Sequence, residues 1–554
     1  MSYAKDVLEM GIQHLEHGAN EAAFQKLSNY IDICPEDSTG YFYRGVTRAN
    51  MNDYDGALQD FSKSLSIEPD DEYALSERSM AFSRQRKYNE ALDDIQKALE
   101  IAPEDATLHF NLGMICCDSA AYDCAVKAFT KSIELEDTFA DAYLHRGISN
   151  WELGHLEQAE QDMNQAIDLE PDYSDAYDAK AQLCYEMTDL RQALSCINQA
   201  IRIERDDIEY IVSRGIIHFA MDHIELAEND YHYAIELNPD HYTAHYNLGC
   251  MYLERGMLHD AALYFDRTIQ INPQRSDGYF RRARVHELLN RVPAALEDYH
   301  QACFLDPMDA RAHLQFGLLL GRLKNYDEAI LHINQVIFLS PQCAQAWLSR
   351  GKIKCEMGLY DGALKDLEKV NELQPPDLEQ LKLRAEIEVK LGKVQEALVS
   401  YDAIIERSPE KAQYLLRKTN LLFNEHNWHD VIELTLNNAA LLDHNSGCAG
   451  YLQALQYLAL VHIGEKKQAQ NLLKAFLAKY CLSQNSDAWQ LKILEFLDGK
   501  ISESEFLSLA KKDPKHLYDA EFHIAESCML NGEPERAKTH LKQLEQIKSD
   551  KPLS

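Results

Sequence analysis

The sequence predicts an all-α chain of stacked helix pairs, and three residue lattices on one period of 34 predict it. Ten of the 15 prolines share that period: Pro35, Pro69, Pro103, Pro171, Pro239, Pro273, Pro307, Pro341, Pro375 and Pro409. Asp137 and Arg205 fill the two vacant points. Alanine is stricter, with Ala23, Ala57, Ala91, Ala125, Ala159, Ala193, Ala227, Ala261, Ala295, Ala329, Ala363 and Ala397 in unbroken succession. The third lattice holds Gly11, Gly45, Gly113, Gly147, Gly215, Gly249, Gly317 and Gly351, with Ser79, Ala181, Ala283 and Ala385 between them. A fixed period of this length is the signature of a repeat architecture.

Each lattice has a physical reading. Two helices approach to about 8 Å only where the touching residues are small. The Gly/Ala/Ser position, eighth in each repeat, and the alanine, twentieth, therefore mark the crossing of a first helix and a second. Apolar residues at helical spacing precede the prolines, as Phe61, Leu65 and Ile67 precede Pro69, and Phe265, Ile269 and Ile271 precede Pro273. Proline cannot continue a helix, so it ends each second helix. Acidic residues follow in Pro35-Glu36-Asp37, Pro69-Asp70-Asp71 and Pro239-Asp240, where they can cap the next helix and complement its dipole. The break between paired helices carries Asn52, Gly154, Gly256, Asn290, Gly358 and Gly392, residues suited to a left-handed C′ position.

These features resemble the tetratricopeptide repeat family. One good copy runs from Tyr242 to Pro273, and another carries Trp347, Gly351, Ala363 and Pro375 at the family's marked positions. The register gives twelve repeats of 34 residues over 4–411: 4–37, 38–71, 72–105, 106–139, 140–173, 174–207, 208–241, 242–275, 276–309, 310–343, 344–377 and 378–411. A degenerate copy follows at 412–445, with Val431 in the alanine place and Asp443 in the proline place. After it come a divergent repeat at 450–483, a short divergent helix pair at 484–517 and a closing repeat at 518–551. That closing repeat, with Ala525, Gly532 and Ala537, resembles the end of many bacterial members. The resemblance implies a right-handed α-solenoid of about 16 helix-turn-helix units, with nearest-neighbour stability and atypical terminal units.

Composition narrows the function. The formal charge is −35, so the chain repels phosphate backbones and anionic membranes, and no nucleic acid is expected as partner. The opening MSYAKDVLEM leads into no apolar stretch of a secretory signal, and no run approaches the length of a membrane span. Thirteen cysteines without a CxxC read as reduced thiols, which points to a cytoplasmic protein. The repeats leave no room for a catalytic domain, and GxxxxGK[ST], GxSxG and HExxH are absent. The expectation is a non-catalytic scaffold or adaptor that binds a peptide or partner protein in its concave groove. The alternative is a substrate-recruiting subunit of an enzyme complex.

The resemblance also implies that residues 2, 5, 6, 9, 12 and 13 of each repeat face the groove. Arg281, Arg284, Arg311 and Arg322 fall there, and guanidinium forks suit carboxylates and phosphates. They could receive an acidic peptide or a terminal carboxylate, or merely neutralise Glu287, Asp277 and Asp309. Asn111 and Asn247 match the asparagine with which some family members clamp a partner's backbone, but no continuous asparagine ladder exists. Phe110, Cys117, Trp151, Tyr185, Phe219 and Tyr246 form either an aromatic trough or helix-packing residues. Histidines cluster as His218, His223, His232, His241, His245 and His259, but no cysteine or acid completes a ligand set at useful spacing. No metal or cofactor is expected, and Cys116-Cys117 reads as small core filler.

Overall fold

A computed structural model describes residues 2–438, 448–480, 487–511 and 513–550. The chain divides into two compact units, residues 1–295 and 296–554. The first unit holds α1 (Ser2–Glu16), α2 (Asn20–Ile33), α3 (Ser38–Asn50), α4 (Tyr54–Ile67), α5 (Glu72–Arg84), α6 (Tyr88–Ile101), α7 (Ala106–Asp118) and α8 (Tyr122–Leu135). It continues with α9 (Ala140–Glu152), α10 (Leu156–Leu169), α11 (Ser174–Glu186), α12 (Leu190–Ile203), α13 (Ile208–Ala220), α14 (Ile224–Leu237), α15 (Tyr242–Glu254), α16 (Leu258–Ile271) and α17 (Ser276–Leu288). Helix α18 (Val292–Leu305) runs across the division. The second unit holds α19 (Ala310–Arg322), α20 (Tyr326–Leu339), α21 (Ala344–Glu356), α22 (Tyr360–Leu373), α23 (Leu378–Lys390), α24 (Val394–Arg407) and α25 (Lys411–Asn424). It ends with α26 (Trp428–Asn437), α27 (Ala449–His462), α28 (Lys466–Tyr480), α29 (Ala488–Leu497), α30 (Glu503–Ala510), α31 (Pro514–Leu530) and α32 (Pro534–Asp550). Among the described residues there is no strand.

Within each unit the helices pair antiparallel in chain order, and most first helices also touch the next first helix. All twelve lattice alanines are at 0% exposure, because each lies where two helices cross. Four of the eight lattice glycines, Gly45, Gly113, Gly215 and Gly249, face a ring of their own second helix, and the others face aliphatic side chains or backbone. A Cβ on Gly45 would sit 2.6 Å from Phe61, one on Gly113 2.5 Å from Phe129, and one on Gly249 2.7 Å from Phe265. These rings are fully buried.

The helix ends follow the sequence with one correction. Asp37 accepts from the Thr39 N–H at 3.0 Å, and Asp71 from the Tyr73 and Ala74 N–H groups. After Pro239 the cap is His241, whose Nδ1 faces the Ala244 N–H at 3.3 Å, while Asp240 pairs with Arg267 at 2.5 Å. The cap is thus the second residue after the proline. Asn52, Gly154, Gly256, Asn290, Gly358 and Gly392 all have φ between 55° and 77°. Arg86, Ala120, Thr188 and Lys324 take the same left-handed conformation without a residue type that favours it, and Asp222 takes it with one that does.

A second framework runs through buried charge. Arg44, Arg78, Arg146, Arg214 and Arg350, each seventh in its repeat, bind Asp60, Asp94, Asp162, Asp230 and Asp366 bidentately at 2.5–3.0 Å. Those five carboxylates are buried. The remaining Nη1 reaches back to the preceding second helix, at Ser28, Ser62, Thr130, Asn198 and Asn334 respectively. One guanidinium therefore joins a first helix, its own second helix and the second helix before it.

The C-terminal region departs from one-dimensional stacking. Helices α29 and α30 are short, at 10 and 8 residues, so the 17-residue α31 reaches past them to α27. His462 meets Glu526 at 2.9 Å, and the Tyr451 hydroxyl donates to Asp519 at 2.9 Å. Trp489, Ile493, Phe506, Ile524 and Ala537 share one core there.

Two outcomes follow for stability. Gly113→Ala drives a methyl into the Phe129 ring and costs about 1–3 kcal/mol. Gly351→Ala, whose nearest neighbours lie at 3.5 Å, instead gains about 0.5–1 kcal/mol of helix propensity. Urea unfolding of the two variants should move in opposite directions. Arg146→Met strands the buried Asp162 and costs about 3–5 kcal/mol, whereas Arg146→Met with Asp162→Leu recovers most of that loss. A double variant as unstable as the single one would show that packing, not charge, sets the cost.

Candidate functional site

The lateral order of first helices brings their exposed stripes together. Helices α9, α11 and α13 leave a pocket of about 470 Å³ between them. Its lining comes from groove positions 6, 9, 12 and 13: Trp151 on α9, Gln182, Tyr185 and Glu186 on α11, and Ser213 and Ile216 on α13. Ala181 and Ile217 complete its floor. The helices approach closely at Ala181, and that small residue leaves the space that the rings enclose.

Trp151 is fixed by its indole N–H, which donates to Glu186 at 2.5 Å. Tyr185 keeps 39% of its surface exposed, a large fraction for an aromatic side chain. One turn before Gln182 on the same face lies Asp178. Gln182 Nε2 donates to its Oδ2 at 2.7 Å, and its Oδ1 is buried without a hydrogen-bond partner. Burial pushes this carboxyl up to about 6, a rise that the Gln182 bond only partly offsets. On α5, burial also raises the Glu77 carboxyl, at groove position 6. The groove face of this unit is therefore aromatic and acidic.

The other aromatic candidates separate cleanly. Phe110 packs against Phe129 and Phe139 at 5.5 and 5.0 Å, and Tyr246 packs against Phe265 at 6.0 Å. Phe219 lies against a buried core, and Cys117 contacts Ser149 at 3.2 Å. These four pack helices together, while Trp151 and Tyr185 line the pocket.

The arginines are held by their own surroundings. On α17, Arg281 Nε donates to the Tyr246 hydroxyl at 3.0 Å, and Arg284 faces Glu287 at 3.4 Å. On α19, Arg311 pairs with the cap residue Asp309 at 3.2 Å, and Arg322 ends the helix on an exposed turn. Asp277 is engaged by Arg275 and Tyr242 rather than by Arg281. Asn111 donates to Ser76 at 2.9 Å, tying α7 to α5, and the Asn247 amide nitrogen is buried without a partner.

The histidine cluster separates except for His218 and His223, whose Nδ1 atoms lie 3.4 Å apart. His241 faces Glu209, and His245 Nε2 meets the Pro239 carbonyl at 2.9 Å. Ligand-type atoms converge elsewhere, at Cys303, His313 and His332 and at Glu503, Cys528 and His540. Sequence spacing hides both groups, because each draws on three helices. Twelve cysteines among the described residues are free thiols, Cys116 and Cys117 included; Cys481 lies outside the described residues.

The Asp178 shift has a sign that can be measured. A raised carboxyl binds its proton more tightly in the folded chain, so its contribution to stability falls as pH rises from the unfolded value toward about 6. Asp178→Asn removes this penalty. In urea unfolding the variant should exceed the parent at about pH 7.5 and lose that advantage at about pH 4.5.

Comparisons with known proteins agree with this repeat geometry. One tetratricopeptide repeat family model matches residues 212–276, 252–310, 280–342 and 314–377. A second matches 73–105, 140–173 and 174–207. No curated protein matches the chain. Among solved structures it is similar to yeast Tom70, at 17% identity, over 74% of this chain and 99% of that one, with a TM-score of 0.41. It is also similar to the Cut9 and Hcn1 hetero-tetramer of the APC/C, at 14% identity, 86% and 97% coverage and a TM-score of 0.37. Pseudomonas aeruginosa pilF is similar at 18% identity, 38% and 97% coverage and a TM-score of 0.35. Among the described residues no helix is long and apolar enough to cross a membrane.

Proposed function

We propose, from the premise that this chain is a tetratricopeptide repeat protein, that it is a non-catalytic scaffold binding a partner protein along its first-helix groove. The observation that carries the reading is the pocket between α9, α11 and α13. An apolar side chain of the partner enters between Trp151 and Tyr185, and a neighbouring cation of the partner faces the acidic wall at Glu186 and Asp178. Buried aromatic anchors of this kind supply most of the binding energy in small interfaces. The acid supplies orientation and encounter rate more than affinity.

The arginine set is the competing place for a partner, one that would offer a carboxylate or phosphate instead. An enzyme-recruiting role uses the same groove and differs only in what the partner catalyses.

A photoreactive residue at position 185 tests the assignment in cells of the source. It should capture a discrete partner that the same residue at Tyr233, exposed on the second helix α14, does not capture. Trp151→Ala and Tyr185→Ala should each weaken that partner by about tenfold or more. Binding should also fall below about pH 6, as Asp178 takes up its proton. If charge reversal at Arg281, Arg284, Arg311 and Arg322 abolishes capture while Trp151→Ala leaves it intact, the site belongs to the arginines. Capture of an enzyme that stays bound through purification would favour the recruiting role.

A further inference from the structure

We propose that Cys303, His313 and His332 form a binding site for a borderline-soft transition ion of the Zn²⁺ class. The three residues come from α18, α19 and α20, and all three lie in the second unit. Cys303 Sγ and one ring nitrogen of each histidine lie within 4.8 Å of one another. The two Nδ1 atoms are 2.9 Å apart. Cys303 is 7% exposed and His313 is 8% exposed.

The donor chemistry selects the ion. One thiolate and two imidazoles suit Zn²⁺ or Cu⁺, and disfavour Ca²⁺ or Mg²⁺, which take oxygen. A tetrahedral ion at about 2.0–2.1 Å from each nitrogen and about 2.3 Å from sulfur needs roughly 3.3 Å between nitrogens. The existing Nδ1 separation meets this with a small opening of the ring pair. Three protein ligands leave the fourth tetrahedral position to water.

A hydrogen bond between the two rings accounts for only part of the arrangement. One proton lies between the Nδ1 atoms, whichever ring donates it. His313 Nε2 makes no close hydrogen bond, although the Pro307 carbonyl still acts on the ring. The equivalent histidines His109 and His245 put Nε2 on the carbonyls of Pro103 and Pro239 at 3.0 and 2.9 Å. The Pro307 carbonyl accepts from Gln335 at 3.3 Å and also acts on the His313 ring. What sets His313 apart is Nδ1, which it directs at His332. Binding deprotonates the Cys303 thiol and gives the ion and its three ligands a net charge of +1. Asp306 and Asp309, whose charges both act on Cys303 and His313, lie where they offset it.

The test uses the full chain, reduced and stripped with a chelator, and titrated with Co²⁺ alone. One ion per chain should bind, with thiolate-to-cobalt charge-transfer absorption that Zn²⁺ abolishes. Cys303→Ser should remove the absorption, and His332→Gln should weaken binding by about a hundredfold or more. Cys528→Ser, in the Glu503–Cys528–His540 group, should leave both unchanged. Circular dichroism checks that each variant is folded; should Cys303→Ser unfold, His332→Gln decides. Loss of the signal in Cys528→Ser with retention in Cys303→Ser overturns the proposal. So does binding without a fixed stoichiometry, or no binding at all.

Discussion

The structure depends on one recurring contact, a buried aspartate held by an arginine that also grips the helix before it. A single helix pair cannot cover its own apolar face, so each pair must sit on the next at a fixed offset. Small residues permit the close approach but do not choose the offset. The arginine does. Its Nε and Nη2 lock onto Asp162 from Arg146, and its Nη1 reaches Thr130 one repeat back. Side-chain partners complete the carboxylate. Arg48 adds to Asp60, Asn150 to Asp162 and Lys354 to Asp366, each four residues after the clamping arginine. An aspartate so enclosed tolerates no sliding of one pair over another, because any slip strands a buried charge.

How much of this was legible depends on whether a signal lies within one helix or across several. Ala57 and Gly45 stand out on a lattice because the crossing leaves no room for other residues. Asn52 and Gly154 stand out because their backbones favour positive φ. Thr188 and Ala120 sit at the same turn and give no sign in their own chemistry, since the flanking helices impose the conformation at about 1–2 kcal/mol per residue. Only the spacing of 34 from Asn52 and Gly154 could have found them. The Arg–Asp clamp was equally available, as pairs 16 residues apart, but it crosses from one helix to the next and escapes a search along single faces.

The groove shows the same limit. Positions 5 and 12 identify Phe110, Tyr246, Trp151 and Tyr185 without distinction. What separates them is the neighbour: Phe110 and Tyr246 meet a phenylalanine of the second helix, while Trp151 and Tyr185 border the space above Ala181. The arginines of α17 and α19 look like a basic floor in the sequence. Their acids lie three residues along the helix or in its cap, so local geometry engages Arg284 and Arg311 first.

The frame and the groove consequently divide the charge of the protein between them. Inside the frame, each clamping aspartate is neutralised by its guanidinium, and Asp60 and Asp366 face a second cation as well. The acids that remain are those without such a partner. Asp178 is one: it sits on the groove face, and its nearest bonded neighbour is the neutral Gln182. Burial raises its pKa to about 6, a cost that the Gln182 and Ser213 side chains only partly offset. A cation brought beside it would favour the ionised form and release a proton. A neutral side chain would satisfy the fold better, so the carboxyl is best understood through what the groove receives.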